Sequence, residues 1–220
     1  MLSFKMQKSL TSSRSNEFAF TTTRPFIPTL VFTSNDICPH AAEPRLRSHS
    51  HILENKLKCQ SPQHLVALLK KYLCSDAPNL SHGPLNILDG AAGNGRVGAE
   101  LRNQLANDPA IDCLVGTDLL PSARVATLRD RVPNPYDEYI VANLIEPSEE
   151  AVQQFKRTNF EVVLMCAALG PGDGDLPLEV VDAATRFLDV GGLLALTVNE
   201  KQQGPKGLRR EVVTVTLLLI

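Results

Sequence analysis

Apolar positions recur at helical spacing from Leu65 onward. Leu65, Leu68, Leu69, Tyr72 and Leu73 fall on one stripe, behind a Ser61-Pro62 pair suited to an N-cap and first helical position. After the turn-rich stretch 75–84, short apolar runs alternate with mixed segments. The runs predict strands over Leu85–Asp89, Asp112–Asp118, Glu138–Ala142, Phe160–Ala167 and Gly192–Val198. The segments between them predict helices over Arg96–Asn107, Pro121–Arg131, Ser148–Thr158 and Leu178–Leu188. Such alternation implies crossover units, hence an α/β, doubly wound, mostly parallel sheet with helices on both faces. In that architecture ligands bind outside the carboxyl ends of the strands, where the strand order reverses.

Residues 1–50 do not share this pattern. Through Ser34 they carry Lys5, Lys8, Arg14 and Arg24 against the single acid Glu17, with twelve Ser or Thr. Two readings stand, a disordered extension and a mitochondrial transit-like segment. The domain is accordingly expected over 51–220, and the compartment is cytoplasmic or, on the second reading, mitochondrial. The net charge of −2 provides no electrostatic footprint for nucleic acid or an anionic membrane, so neither is expected as a partner. No apolar run reaches the roughly 18 residues of a membrane span. The five cysteines (38, 59, 74, 113 and 166) form no C-x-x-C pair, and all five histidines lie at or before His82. No metal site and no Ser-His-Asp triad is therefore expected downstream.

The first strand runs into "ILDGAAGNGRVG", residues 87–98, which contains Gly93-x-Gly95-x-x-Gly98. This dinucleotide fingerprint is weak on its own, and the flanking residues decide between ligands. Asp89 closes the strand. A carboxylate at that point repels a pyrophosphate and suits a cationic ligand, with a helix-capping role as the alternative. Asp118 ends the second strand and can accept hydrogen bonds from both hydroxyls of a ribose, or cap the helix after Pro121. Asn143 follows the third strand. Its amide can accept from and donate to an adenine edge, or serve a turn. Beyond the fourth strand, "CAALGPGDGDLP" leaves room for a substrate, or is a flexible connector.

The segments "ILDGAAGNGRVGAEL", "GTDLLPSARVATLRDR", "FEVVLMCAALGPGDGDLP" and "FLDVGGLLALTVNE" together resemble the class I S-adenosylmethionine-dependent methyltransferases, whose fold is Rossmann-like. "VGAEL" and "AALGPGDGDLP" look most like the methyltransferase-like proteins named for the Williams–Beuren chromosomal region. The resemblance covers roughly residues 85–200. It implies S-adenosylmethionine as cofactor, with contacts at Asp89, Gly90, Ala91, Gly93 and Gly95, at Asp118 and Leu119, and at Asn143 and Leu144. The chain departs from the family in reading Ala91-Ala92-Gly93-Asn94-Gly95 for the usual G-C-G-T-G, and Asn143 for an acidic residue. The family's sheet has two further strands with a helix between the fifth and sixth. Only about twenty residues follow Glu200, so the fold is expected to be incomplete at this end, with "EVVTVTLLLI" as one strand beside the fifth.

Methyl transfer from a sulfonium is an in-line displacement that needs alignment and desolvation more than a fixed catalytic side chain. That agrees with the lack of an acid–base constellation, and it leaves the catalytic residue unassigned. Asp173 or Asp175 would serve if a base is required. A small-molecule acceptor is expected, a protein side chain being the alternative. A non-catalytic cofactor-binding relative and an NAD-dependent oxidoreductase are the competing functions.

Overall fold

The computed structural model describes residues 29–32, 60–74, 83–105, 110–169, 176–177, 179–203 and 209–219. Seven strands and five helices are placed: β1 Thr29–Phe32, α1 Ser61–Cys74, β2 Leu85–Gly90, α2 Arg96–Gln104, β3 Ile111–Asp118, α3 Pro121–Asp130, β4 Glu138–Val141, α4 Glu149–Phe155, β5 Phe160–Leu169, α5 Glu179–Thr185, β6 Leu188–Gln203 and β7 Arg209–Leu219. One sheet contains them all in the order β1-β7-β6-β5-β2-β3-β4.

The five strands expected from the sequence form the parallel part. β2 pairs with β3 and β5, β3 with β4, and β5 with β6, all in parallel. The chain runs outward from β2 to β4 and then restarts on the other side at β5, so the order reverses between β2 and β5. The helices follow that reversal. Leu65, Leu69, Val97 and Leu101 of α1 and α2 pack with Ile87, Leu114, Val162 and Leu164 on one face. Ala151, Phe155, Val180 and Ala184 of α4 and α5 pack with Leu88, Val115, Val163 and Leu194 on the other. Alternate residues of β2 and β5 thus feed different cores, which is why both strands read as continuous apolar runs.

Local chemistry sets the ends. Helix α1 begins one residue before the position Ser61-Pro62 suggests, since the Gln60 carbonyl accepts from the His64 amide (3.0 Å). Pro121 opens α3, where its missing N–H costs nothing. Ser148 caps α4, its hydroxyl accepting from the Ala151 amide, with Glu149 and Glu150 in the positive first turn.

Two expectations need correction. Residues 1–50 were read as an extension outside the domain, yet Thr29–Phe32 pairs antiparallel with β7, Thr29 opposite Thr216 and Phe32 opposite Val213. The apolar, β-branched "TLVF" is a short strand hidden among Ser, Thr and Pro; the rest of that segment lies outside the described residues. The fifth predicted strand was bounded at Gly192–Val198, but β6 runs to Gln203, because polar Asn199–Gln203 finds backbone partners in Arg209–Val213. β7 lies antiparallel beside β6, as the C-terminal run implied, and β1 covers its other edge. Among the described residues no helix is long and apolar enough to cross a membrane.

Candidate functional site

At the reversal point, the turn after β2 is fixed from three directions. The Ala92 amide donates to the Thr117 carbonyl (2.9 Å) and the Gly93 amide to Asp118 Oδ2 (3.0 Å). The Gly93 carbonyl accepts from Thr127 Oγ1 of α3 (3.0 Å) and from the Tyr139 hydroxyl of β4 (2.9 Å). Arg131 Nε donates to the Asn94 carbonyl (3.1 Å). A glycine-rich loop would otherwise lose much conformational freedom on binding, so these bonds preorganise it.

The glycines serve different ends than the fingerprint suggests. A Cβ on Gly98 would lie 2.6 Å from the ring of Tyr136, one on Gly116 3.0 Å from it, and one on Gly95 2.7 Å from Thr127 Cγ2 and 3.2 Å from the same ring. Gly95, Gly98 and Gly116 make room for a buried tyrosine, 4% exposed, rather than for a ligand. At Gly93, by contrast, a Cβ would meet nothing within 4 Å. The open side of the loop is therefore at Gly93.

Ala91 has φ +58°, the left-handed region that glycine occupies freely. The first glycine usual at this position has a backbone reason, and alanine here is strained. Ala91→Gly is expected to raise stability by about 0.5–1 kcal/mol, the relief of strain less the extra entropy of the unfolded chain. Urea denaturation measures it, and an unchanged or lower midpoint would count against strain at Ala91.

Tyr136 holds the next residue of the site. Its hydroxyl donates to Asp89 Oδ2 at 2.6 Å. Asp89 is 1% exposed, and its Oδ1 is enclosed with no hydrogen-bond partner. Burial pushes the Asp89 carboxyl up to about 7; nearby Asp118 adds to the rise and the Tyr136 bond opposes it. Burial and the adjoining carboxylate raise the Tyr136 phenol well above its usual range. Tyr136 is itself seated by Asn134, whose amide group exchanges two hydrogen bonds with its backbone (3.1 and 3.2 Å), and by the edge of Tyr139 at 5.5 Å.

Asp118 accepts from the backbone amides of Gly93 at Oδ2 and Leu120 at Oδ1 (2.9 Å), and the Leu119 amide also bonds it. It thus combines the helix-entry role with anchoring of the glycine turn. Burial raises its pKa and the backbone bonds lower it. A carboxylate offers about four acceptor sites, so capacity remains for a further donor. Leu119 beside it is 58% exposed. Asn143 is exposed and closes a turn, Oδ1 accepting from the Ile145 amide (3.0 Å), which leaves its NH2 group to a ligand. Leu144 is 6% exposed and packs in the core, its Cδ1 alongside Gly90, so only its backbone can face the site. Asp173 and Asp175 lie outside the described residues.

On the β5 side, Ala167 also has φ +54°, and its amide donates to buried Thr197 Oγ1 (2.7 Å). Burial pushes the adjacent Cys166 thiol up to about 12, so it is a poor nucleophile. Among the described residues no group of three or more His, Cys, Asp or Glu could hold a metal ion.

The structure therefore gathers Asp89, Gly90, Ala91, Gly93, Gly95, Asp118 and Leu119 around one turn. Three further residues, Thr127, Tyr136 and Tyr139, were not singled out from the sequence. The available signal was the facing set of small residues Gly95, Gly98 and Gly116, which calls for a large partner between α2 and β3.

No protein-family profile matches the chain, and no curated protein matches it in sequence. Among solved structures, the plantazolicin methyltransferase BpumL in complex with a triazolic desmethylPZN analogue and SAH aligns at TM-score 0.52 and 17% identity, over 71% of this chain and 54% of that one. The same methyltransferase with a pentazolic analogue and SAH aligns at TM-score 0.50 and 17% identity, over 71% and 54%. An rRNA methylase from Streptococcus thermophilus aligns at 0.45 and 17% identity, over 72% and 97%. The chain spans about half the length of the plantazolicin methyltransferases it matches. The two plantazolicin methyltransferase alignments show the fold alone, a Rossmann-like, mostly parallel sheet. They lend no support to the expectation that nucleic acid is excluded as an acceptor, and they do not reach the Williams–Beuren-region subfamily.

Proposed function

We propose that this chain is an S-adenosylmethionine-dependent methyltransferase, related to the Williams–Beuren-region methyltransferase-like proteins. The observation that carries this reading is the orphaned oxygen of Asp89. A fully buried carboxylate with one unsatisfied oxygen, beside the glycine turn at the reversal point, calls for a cationic donor. S-adenosylmethionine has an ammonium; the pyrophosphate of NAD would bring two more negative charges toward Asp89 and Asp118. Thr127 and Tyr136 also crowd Gly95, the glycine that the dinucleotide fingerprint reserves for close backbone approach to the pyrophosphate.

The residues present fit the cofactor. Asp89 would take the ammonium, Gly93 would allow close approach, Asp118 would receive the ribose hydroxyls, and the Asn143 NH2 group would donate to a ring nitrogen of adenine. Exposed Leu119 would cover the adenine face. When bound, the cofactor supplies a methyl group on a sulfonium. The chain's own part is to orient that group and to keep water away, through the rigid turn at Gly93 and the residues after β5. A small molecule is the proposed acceptor and a protein side chain the second choice. The proposed compartment is the cytoplasm.

Calorimetric titration with S-adenosylhomocysteine and with NAD tests the reading. Binding of S-adenosylhomocysteine, with none of NAD, is expected. Binding of NAD alone, or of neither, overturns it. Transfer of labelled methyl to a panel of small molecules, peptides and RNA then separates an enzyme from a non-catalytic binder and names the acceptor class.

A further inference from the structure

We propose that Tyr136 is a positioning residue, which fixes the Asp89 carboxylate so that Oδ1 stays unpaired as the acceptor for the ammonium of the cofactor's amino-acid end; this rests on the methyltransferase reading above. The geometry supports it from three sides. The 2.6 Å bond occupies Oδ2 and sets the carboxylate plane, while Oδ1 has no partner. Gly95, Gly98 and Gly116 form a slot that fits the Tyr136 ring, so the hydroxyl cannot wander. Asn134 and Tyr139 brace the tyrosine from behind. Three glycines and two bracing residues thus serve one hydrogen bond.

The same bond sets the charge of Asp89. Asp118 of β3 opposes ionisation of Asp89, and the Tyr136 hydroxyl favours it. Tyr139 of β4 and Cys166 of β5 also face Asp89, and Arg96 at the start of α2 faces Cys166. Removing the hydroxyl leaves both carboxylate oxygens unpaired and moves the carboxyl higher still. Ammonium binding then requires a more alkaline solution.

Tyr136→Phe keeps the ring in its slot and deletes only the hydroxyl. Two ligands probe the full chain by calorimetry: S-adenosylhomocysteine, and 5′-methylthioadenosine, which keeps the adenosine and the thioether but lacks the amino-acid end. The variant is expected to bind S-adenosylhomocysteine about tenfold more weakly at pH 7, the scale of one charge-assisted hydrogen bond. The loss shrinks at pH 8.5, and 5′-methylthioadenosine binds as it does to the parent, which also shows that the variant is folded. Equal loss for both ligands, no loss for either, or a loss independent of pH overturns the positioning role. If the parent chain binds neither ligand, the methyltransferase reading itself fails and the proposal falls with it.

Discussion

Asp89→Asn is expected to melt higher than the parent at pH 8 and to bind S-adenosylhomocysteine at least about tenfold more weakly. The two effects have one origin. The carboxyl titrates near 7 in the folded chain, against 3.8 for the free group, chiefly because it is buried. A folded-state value above the unfolded one means that the folded chain holds the proton more tightly. Stability from this group is therefore present below pH 4, falls as pH rises, and is fully lost above pH 7. A rise of that size corresponds to about 4 kcal/mol as an upper scale. The neutral amide escapes that cost, although its NH2 group inherits a buried position without an acceptor, which takes back about 1–3 kcal/mol. A net gain of about 1–3 kcal/mol remains at pH 8, or some 2–12 °C in melting temperature for a chain of this size. Near pH 4 the gain disappears. Scanning calorimetry at pH 4.5 and 8 measures it; a variant that melts lower than the parent at both would show that Asp89 is a stabilising ion and not a stored cost. Charge buried at a loss is the mark of a group kept for binding.

Asp118→Ala is expected to cost about 2–3 kcal/mol in affinity for S-adenosylhomocysteine, roughly a 30- to 150-fold loss. Both carboxylate oxygens already hold the backbone, at Gly93 and Leu120. The substitution therefore unties the glycine turn from β3 and removes the proposed ribose acceptor together. Because both ligands have the ribose, 5′-methylthioadenosine should weaken in proportion, unlike its response to Tyr136→Phe. A titration with unchanged affinity but a lowered melting temperature would confine Asp118 to anchoring the loop.

The alternation of short apolar runs and helical stripes made the parallel part of this sheet legible, since each element buries a face whose period is local. Leu85 to Gly90 and Phe160 to Leu169 stood out because two cores claim their alternate residues. β1 did not stand out, because four residues carry no period and their partner among the described residues is far along the chain. Asn199–Gln203 fell outside the predicted strand for a related reason: polar residues become strand when a neighbour offers a hydrogen-bonding edge, whatever their propensity. Within the site, Asp89 and Asp118 were visible as carboxylates at strand ends. Tyr136 was not, because what it fills is a space made by glycines on α2, β3 and the turn between β2 and α2. A glycine shows that space is needed without showing which side chain takes it. The fingerprint Gly93-x-Gly95-x-x-Gly98 thus misleads at Gly95, where the room goes to Thr127 and Tyr136.

The pairing of β1 with β7 sets an order of events as well as a contact. Thr29 meets Thr216, and the 186 residues between them are made after the one and before the other. A chain growing from its N-terminus must leave β1 without that partner until nearly all of the sheet has been synthesised, while β2 to β6 can already close through crossovers of ordinary length. The outer pair is thus a late addition to a core that forms without it. In hydrogen exchange its amides should open as a unit at lower free energy than those of β2, β3 and β5. β7 then acts as the clasp that draws β1 in.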